Sequence, residues 1–150
     1  MSRLIPPPVV AAVVGLLMWS IHKTLAFGTF ASELQKPAAL TLLSIGLLLI
    51  AVAAGQFIAA RTTINPMKPS RASNLVTTGV FAFSRNPIYL GDLLMLAALA
   101  VWFGNGVNVV LLFLFVWYIN RFQIVPEEQA LAQNFGAAYH AYCSRVRRWL

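Results

Sequence analysis

The sequence predicts an all-α integral membrane protein with about four transmembrane helices, the third and fourth forming a helical hairpin, followed by an amphipathic cytoplasmic helix at the C-terminal end. Three observations carry that expectation. Of 150 residues, 59% are hydrophobic and only 10% charged, and the mean hydropathy is +0.75, outside the usual range of a soluble domain. The apolar residues gather in runs close to the ~20 residues that cross a bilayer core. The 11 Lys+Arg and 4 Asp+Glu fall mostly between and after those runs. In a soluble chain a formal charge of +7 would raise nucleic acid as a partner. Here the basic residues are explained by membrane topology, so the expected partner is the membrane and not nucleic acid.

The first run spans about residues 4–21, entered through Pro6, Pro7 and Pro8. Ser2 and Arg3 before an apolar stretch resemble a signal peptide. No small-residue cleavage pattern follows, because His22, Lys23 and Thr24 come next, so the run is expected to be a retained membrane helix. His22 then reads as an interfacial side chain in a short loop that ends at Pro37. The second run, 38–60, carries no charge, and its polar side chains are Thr41, Ser44 and Gln56. Gly46 and Gly55 are expected to allow close helix approach, and Gln56 to hydrogen-bond a neighbouring helix.

Residues 61–85 form a polar linker broken by Pro66, Pro69 and Gly79. It is longer than a connecting turn needs, a property of functional or disordered loops. Lipid phosphates are candidate partners of Lys68 and Arg71, although positive-inside placement accounts for both residues without that contact. The third run, 87–103, and the fourth, 107–125, are separated by Gly104-Asn105-Gly106, a tight turn, and so form the hairpin. Trp117 and Tyr118 near the end of the fourth suit an interfacial belt. Pro126 is expected to open a separate amphipathic helix. Glu127 and Glu128 occupy its first turn, where acidic side chains oppose the helix dipole. At 100° per residue Glu128, Phe135, Tyr139 and Tyr142 share one face of it. Glu127, Asn134, Ala138, Ala141 and Arg145 share the neighbouring face.

Charge sets the orientation. With alternate crossings, one side holds Arg3, Arg61, Lys68, Arg71, Arg85, Arg121, Arg145, Arg147 and Arg148. The other holds Lys23 and Lys36, offset by Glu33. The excess of cations places both termini and the long linker in the cytoplasm, at the inner membrane if the source is bacterial.

The chemistry concentrates at 79–91, where the linker turns into the third helix. Asn86 followed by Pro87 reads as an N-cap with proline at the first helical position. Tyr89 and Asp92, three residues apart, share a face. The helix start and Arg85 offer two independent means of holding a carboxylate or phosphate; a capped helix with a surface arginine is the simpler account of the same residues. Ionisable groups at membrane depth are candidate functional groups, here Arg85, Asp92, Glu127 and Glu128. Adjacent glutamates point about 100° apart on a helix, so Glu127 and Glu128 do not converge on one ion. No His/Glu spacing for zinc, no Ser/His/Asp set around His22 or His140, and no phosphate-binding glycine loop appears. Cys143 is the single cysteine, which excludes an internal disulfide and leaves no thiol cluster for a metal.

Arg85-Asn86-Pro87-Ile88-Tyr89-Leu90-Gly91 resembles the Arg-(His/Asn)-Pro-x-Tyr motif of a membrane methyltransferase superfamily, which includes isoprenylcysteine carboxyl methyltransferases and phospholipid N-methyltransferases. The second half of the pattern is also similar: Glu127-Glu128 with Leu131, then Phe135-Gly136 with Tyr139 and Tyr142, then Val146 and Arg148. The resemblance covers about residues 60–150, with Thr62 and Pro66 upstream. It implies an all-helical enzyme using S-adenosylmethionine, with the cofactor in a cytoplasm-facing pocket and a lipophilic acceptor arriving from the bilayer. By this resemblance Arg85, Asn86 and Tyr89, with Gly91, bind the amino-acid end of the cofactor. Glu127 or Glu128 takes its amine or ribose, and Tyr139, Tyr142 and Arg148 close the pocket. The first 60 residues then supply two membrane helices, and 61–150 the cofactor-binding core of a single domain. Asn86 stands where the carboxyl methyltransferases carry histidine, and relatives commonly continue with proline past the position of Leu150.

Arg85, Asp92 and Glu128 are the candidate catalytic residues, and no metal is expected. A carboxylate or thiolate acceptor needs positioning and water exclusion more than acid–base help. An amine acceptor must lose a proton, for which Asp92, Glu127 and Glu128 are all candidates. A non-catalytic membrane scaffold or lipid-binding protein of the same fold is the alternative. A transporter is disfavoured by the absence of charge within the first two runs.

Overall fold

The computed structural model describes residues 5–25, 27–61 and 74–150. The expectations for Ser2, Arg3, Pro66, Lys68, Pro69 and Arg71, and the Thr62/Pro66 pattern, fall outside these residues. The helices are α1 (Pro7–Thr24), α2 (Gln35–Ala59), α3 (Pro87–Phe103), α4 (Asn108–Ile119), α5 (Val125–Phe135) and α6 (Ala137–Arg145). A 3-10 turn at Gly79–Ala82 precedes α3, and a π-helical turn at Asn120–Ile124 joins α4 to α5. No strand forms among the described residues.

Two helices are long and apolar enough, by length and composition, to cross a bilayer: Gln35–Ala59 and the continuous Asn108–Phe135. Pro87–Phe103 is apolar but shorter. Of the four expected spans, these residues thus provide two by that measure. Side chains such as Leu48, Phe113 and Trp117, each more than half exposed, are the apolar surface such a chain presents to lipid.

α2 and α3 run antiparallel and are pinned at three levels. At one end Gln35 Nε2 donates to the carbonyls of Val101 (2.8 Å) and Trp102 (3.0 Å). In the middle Gly46 meets Gly91. A Cβ on either glycine would lie 2.8 Å from the other's carbonyl oxygen, so only two glycines let the backbones touch here. At the far end Gln56 holds the 3-10 turn, its Nε2 donating to Thr78 O and its Oε1 accepting from Val80 N, both at 3.2 Å. The expected role of Gln56 is therefore shifted from a neighbouring helix to a loop. Gly79 in that turn has φ +60, and a Cβ there would sit 1.7 Å from the Gln56 amide nitrogen, so glycine is required twice over. Gly55, expected at a close approach, would have nothing among the described residues within 4 Å of an added Cβ.

The core is formed where α1, α3 and α4 meet, around Met18, Leu96, Phe115 and Ile119 with Tyr89 at its edge. The hairpin turn is fixed by Asn105, whose Nδ2 donates to Leu25 O (2.9 Å) and whose Oδ1 accepts from Val107 N (3.0 Å).

The region after 119 differs from expectation. Pro126 does not open a separate helix. The chain stays helical from Asn108 to Phe135, and Val125 N donates to Asn120 O, five residues back. The π-turn absorbs a proline that lacks the N–H an unbroken α ladder would need. The break comes instead at Gly136, whose φ of 51° and ψ of −123° suit glycine far better than other residues. The single amphipathic helix expected from 126 onward is thus two short helices. Leu131, Ala132 and Phe135 of α5 pack onto Tyr139, Tyr142 and Val146.

Candidate active site

The site is built where the first turn of α3, the first turn of α5 and residues 146–149 converge. Pro87 begins α3 as expected, and Asn86 precedes it. The Asn86 side chain makes no cap; its Nδ2 donates to Arg148 O at 2.9 Å. Ser84 Oγ accepts from Asn86 N (3.1 Å), and Arg85 N donates to Arg147 O (3.1 Å). Residues 85–86 are thereby laced to the carbonyls of residues 147–148.

The two glutamates diverge, as their helical spacing requires. Glu127 accepts from the Tyr89 hydroxyl at 3.0 Å. Glu128 accepts from Arg85 Nη2 at 3.1 Å. It also receives a two-pronged contact from Arg148, Nε to Oε1 at 3.1 Å and Nη2 to Oε2 at 2.6 Å. Such paired charge-assisted bonds are the strong geometry for Arg and carboxylate. The Glu128 hydrogen bonds raise the Arg148 pKa above its already high ordinary value. Arg85 also contacts Cys143 Sγ through Nη1, and its Nε is buried with no hydrogen-bond partner among the described residues.

The aromatic residues of the tail brace this cluster. Tyr142 donates to Phe81 O at 2.6 Å, and burial raises its phenol pKa, so the proton needed for that bond is retained. Burial raises the Tyr139 phenol pKa likewise. Trp149 Nε1 donates to Asn120 Oδ1 at 3.1 Å, fastening the tail to the π-turn.

A cavity of about 210 Å³ opens beside the cluster. Arg85, Asn86, Tyr89, Asp92 and Glu127 supply its polar wall, and Ile50, Phe57, Phe81 and Ile88 its apolar wall, with Pro7 and Pro8 of α1 at its edge. Of the residues singled out in the sequence, these five line the cavity. Glu128 and Arg148 stand behind Arg85, Tyr139 and Tyr142 buttress from the tail, and Gly91 lies at the α2–α3 crossing instead. Asp92 makes no hydrogen bond or ion pair among the described residues, so its carboxylate is available to whatever enters. The contributions of Ile50 and Phe57, and the Asn120–Trp149 bond, are not visible in the sequence, because nothing in an apolar run distinguishes a wall residue from one facing lipid. No group of three or more His, Cys, Asp or Glu suited to a metal occurs among the described residues.

A family model for phospholipid methyltransferases matches residues 34–138. The chain belongs to that family. Its matched stretch takes in α2, α3, α4 and α5 and ends within α6, so it contains both glutamates and the whole first turn of α3. An uncharacterized protein of Haemophilus influenzae is 43% identical over 63 residues, 42% of this chain and 100% of that protein. A protein-S-isoprenylcysteine O-methyltransferase of Schizosaccharomyces pombe is 33% identical over 72 residues, 48% of this chain and 30% of that protein. The chain therefore aligns with less than a third of the yeast enzyme. No solved structure matches. Family membership and the two long apolar helices make this a membrane protein.

Proposed function

We propose that this protein catalyses S-adenosylmethionine-dependent methyl transfer to a lipophilic acceptor held in the bilayer. The observation that carries the proposal is the convergence of Arg85, Tyr89, Asp92 and Glu127 on one cavity at the start of α3, in a chain of the phospholipid methyltransferase family. The yeast relative, named for methylation of an isoprenylated cysteine, supports an acceptor of lipid character.

The residues present fit the cofactor. The buried Arg85 Nε, without a partner among the described residues, is a donor for its carboxylate, and Asn86 lies beside it on the cavity wall. Asp92 and Glu127 are acceptors for its amine or ribose hydroxyls, and Phe57 and Phe81 offer π-faces to a cationic centre. When bound, the cofactor supplies an electrophilic methyl group on a sulfonium.

The protein's part is then positioning. Tyr89 orients Glu127, and Glu128 clamps Arg85 from behind, so the groups facing the cavity are held before anything binds. The apolar wall excludes water from the reacting atoms, and alignment of donor and acceptor supplies much of the acceleration. A thiolate or carboxylate acceptor needs no base. An amine acceptor gives its proton to Asp92 or Glu127, because both Glu128 oxygens are engaged by arginine. At about 210 Å³ the cavity is smaller than the ~300 Å³ at which sites for drug-sized ligands begin, so its walls widen as the cofactor enters. The site faces the cytoplasm, with both termini on that side.

Calorimetry on detergent-purified protein is expected to show S-adenosylmethionine binding that Arg85→Ala and Glu128→Ala abolish. Absence of binding by the folded wild-type protein would overturn the proposal. Membranes incubated with methyl-labelled cofactor then identify the acceptor from the labelled product.

A further inference from the structure

The π-turn between α4 and α5 bears on the site in a way the proposed activity does not require by itself. Along α4 the buried residues are Asn108, Phe115 and Ile119, one stripe of an α-helix at 3.6 residues per turn. Continued without interruption, that stripe would pass near Phe122 or Gln123, then Pro126, then Ala130. The residues that actually turn inward are Gln123 and Ile124, both buried, then Glu127 against Tyr89, and Leu131 against Tyr139 and Tyr142. The inward stripe has slipped by one residue. A π-turn is an α-helix with one residue inserted, and the slip is that residue.

We propose that the π-turn at Asn120–Ile124 sets the rotational phase of the site, by turning Glu127 and Glu128 onto the face that meets Tyr89, Arg85 and Arg148. In an uninterrupted α-helix of this sequence both glutamates would be rotated about 100°, with Pro126 in the place of Glu127 against Tyr89 and Glu127 in the place of Glu128. The turn is held from two sides by positioning residues. Asn120 Oδ1 accepts from Trp149 Nε1 at 3.1 Å, and Gln123 Nε2 donates to Ile5 O at 2.6 Å. Gln123 is 2% exposed, so its bond is shielded from competing water. Phe122 points outward against Trp117 and Tyr118, which marks it as a residue the turn can lose. The inference rests on the proposed cofactor site only in treating the glutamates as ligands.

Its signature is an asymmetry between adding and removing a residue. Deleting Phe122 lets the turn relax to a plain α-helix with the glutamates in the same phase. Inserting one alanine after Ile119 pushes them about 100° out of it. The phase is read without cofactor, in a Cys143→Ser background, from maleimide labelling of Glu127→Cys, on the cavity wall, and Gln129→Cys, on the exposed face. In the parent and the Phe122 deletion, the cysteine at 127 is expected to be protected and the one at 129 to react. The insertion is expected to expose position 127. S-adenosylmethionine affinity, measured separately with both glutamates present, is expected to stay within about threefold in the deletion and to fall at least tenfold in the insertion. Equal labelling patterns in all three frames, or an insertion that keeps position 127 protected, would overturn the inference. If the insertion does not fold, Gln123→Leu replaces it, with the same expected exposure of 127 and partial recovery in Gln123→Asn. A wild-type protein that shows the expected labelling but binds no cofactor refutes the proposed function and leaves the phase assignment standing.

Discussion

Tyr89 donates its phenolic hydrogen to Glu127 across 3.0 Å, so the first turn of α3 holds the first turn of α5. Tyr89→Phe keeps the ring and its packing but leaves the carboxylate one hydrogen bond short. A buried acceptor without its donor costs about 1–3 kcal/mol. The expected outcome is a lower midpoint of thermal unfolding in detergent and S-adenosylmethionine affinity reduced about tenfold. Unchanged affinity would show that Glu127 is oriented by something other than Tyr89.

Glu128 is the shared counter-charge of Arg85 and Arg148, and the Arg85 and Glu128 side chains are 15% and 17% exposed. Glu128→Gln leaves the Arg85 guanidinium enclosed without a carboxylate, at a cost of about 3 kcal/mol. The double variant with Arg85→Gln should lose less than the sum of the two single losses, because the uncompensated charge is gone. A strictly additive pair in thermal melts would contradict the ion pairing.

Arg148 binds Glu128 with two nitrogens while its carbonyl receives Asn86. Lysine cannot reproduce that fork. Arg148→Lys and Arg148→Ala are therefore both expected to speed proteolysis after residue 145 and to weaken cofactor binding, alanine more than lysine. A group whose pKa is raised by folding keeps its contribution below its unfolded-state value and loses it only as pH climbs past the folded one. For Arg148 that window lies far above neutrality, so protease sensitivity of this strap is expected to be flat across the assay range.

Two helical glycines, one in α3 and one in α2, give opposite predictions. At Gly91, the partner of Gly46, an added Cβ would meet Ile50 Cγ1 at 2.5 Å. Gly91→Ala is expected to destabilise by about 1–3 kcal/mol through overpacking. Among the described residues nothing lies within 4 Å of a Cβ added at Gly55, which sits inside a helix, where alanine is favoured by about 0.5–1 kcal/mol. Gly55→Ala should thus raise the unfolding midpoint and Gly91→Ala lower it; equal shifts would exclude the close crossing.

The legible parts of the sequence are those fixed by local chemistry. Pro87 after Asn86 locates the start of α3 to the residue, and Gly104-Asn105-Gly106 locates the hairpin turn. The divergence of Glu127 and Glu128 follows from helical spacing alone. Tertiary partners are not legible. Asn86 has the local marks of a cap and instead spends its amide on Arg148, because a strap arriving 62 residues later leaves no local trace. Pro126 has the marks of a helix start, since the signal for a π-turn is a one-residue slip in the apolar stripe, and within an all-apolar run the stripe has little contrast. Gly136 belongs to the family pattern, which does not reveal the break it makes. Gly46 and Gly55 carry the same local signal, and only the position of α3 separates them.

The crossing of Gly46 with Gly91 also works as a depth gauge. Gly46 lies near the midpoint of α2, thirteen residues before its end at Ala59, or about 20 Å along the axis. Pro87 is four residues, about 6 Å, on the same side of Gly91. The mouth of α3 is therefore sunk roughly 14 Å below the end of α2, whose 25 residues exceed the ~30 Å hydrocarbon thickness by only a few ångströms on each side. With α2 centred on the hydrocarbon layer, Tyr89 and Asp92 would lie at the level of acyl chains, in a site that opens toward the cytoplasmic side. An amphiphile reaching them has to dip its polar end inward, while its tail never leaves the oil.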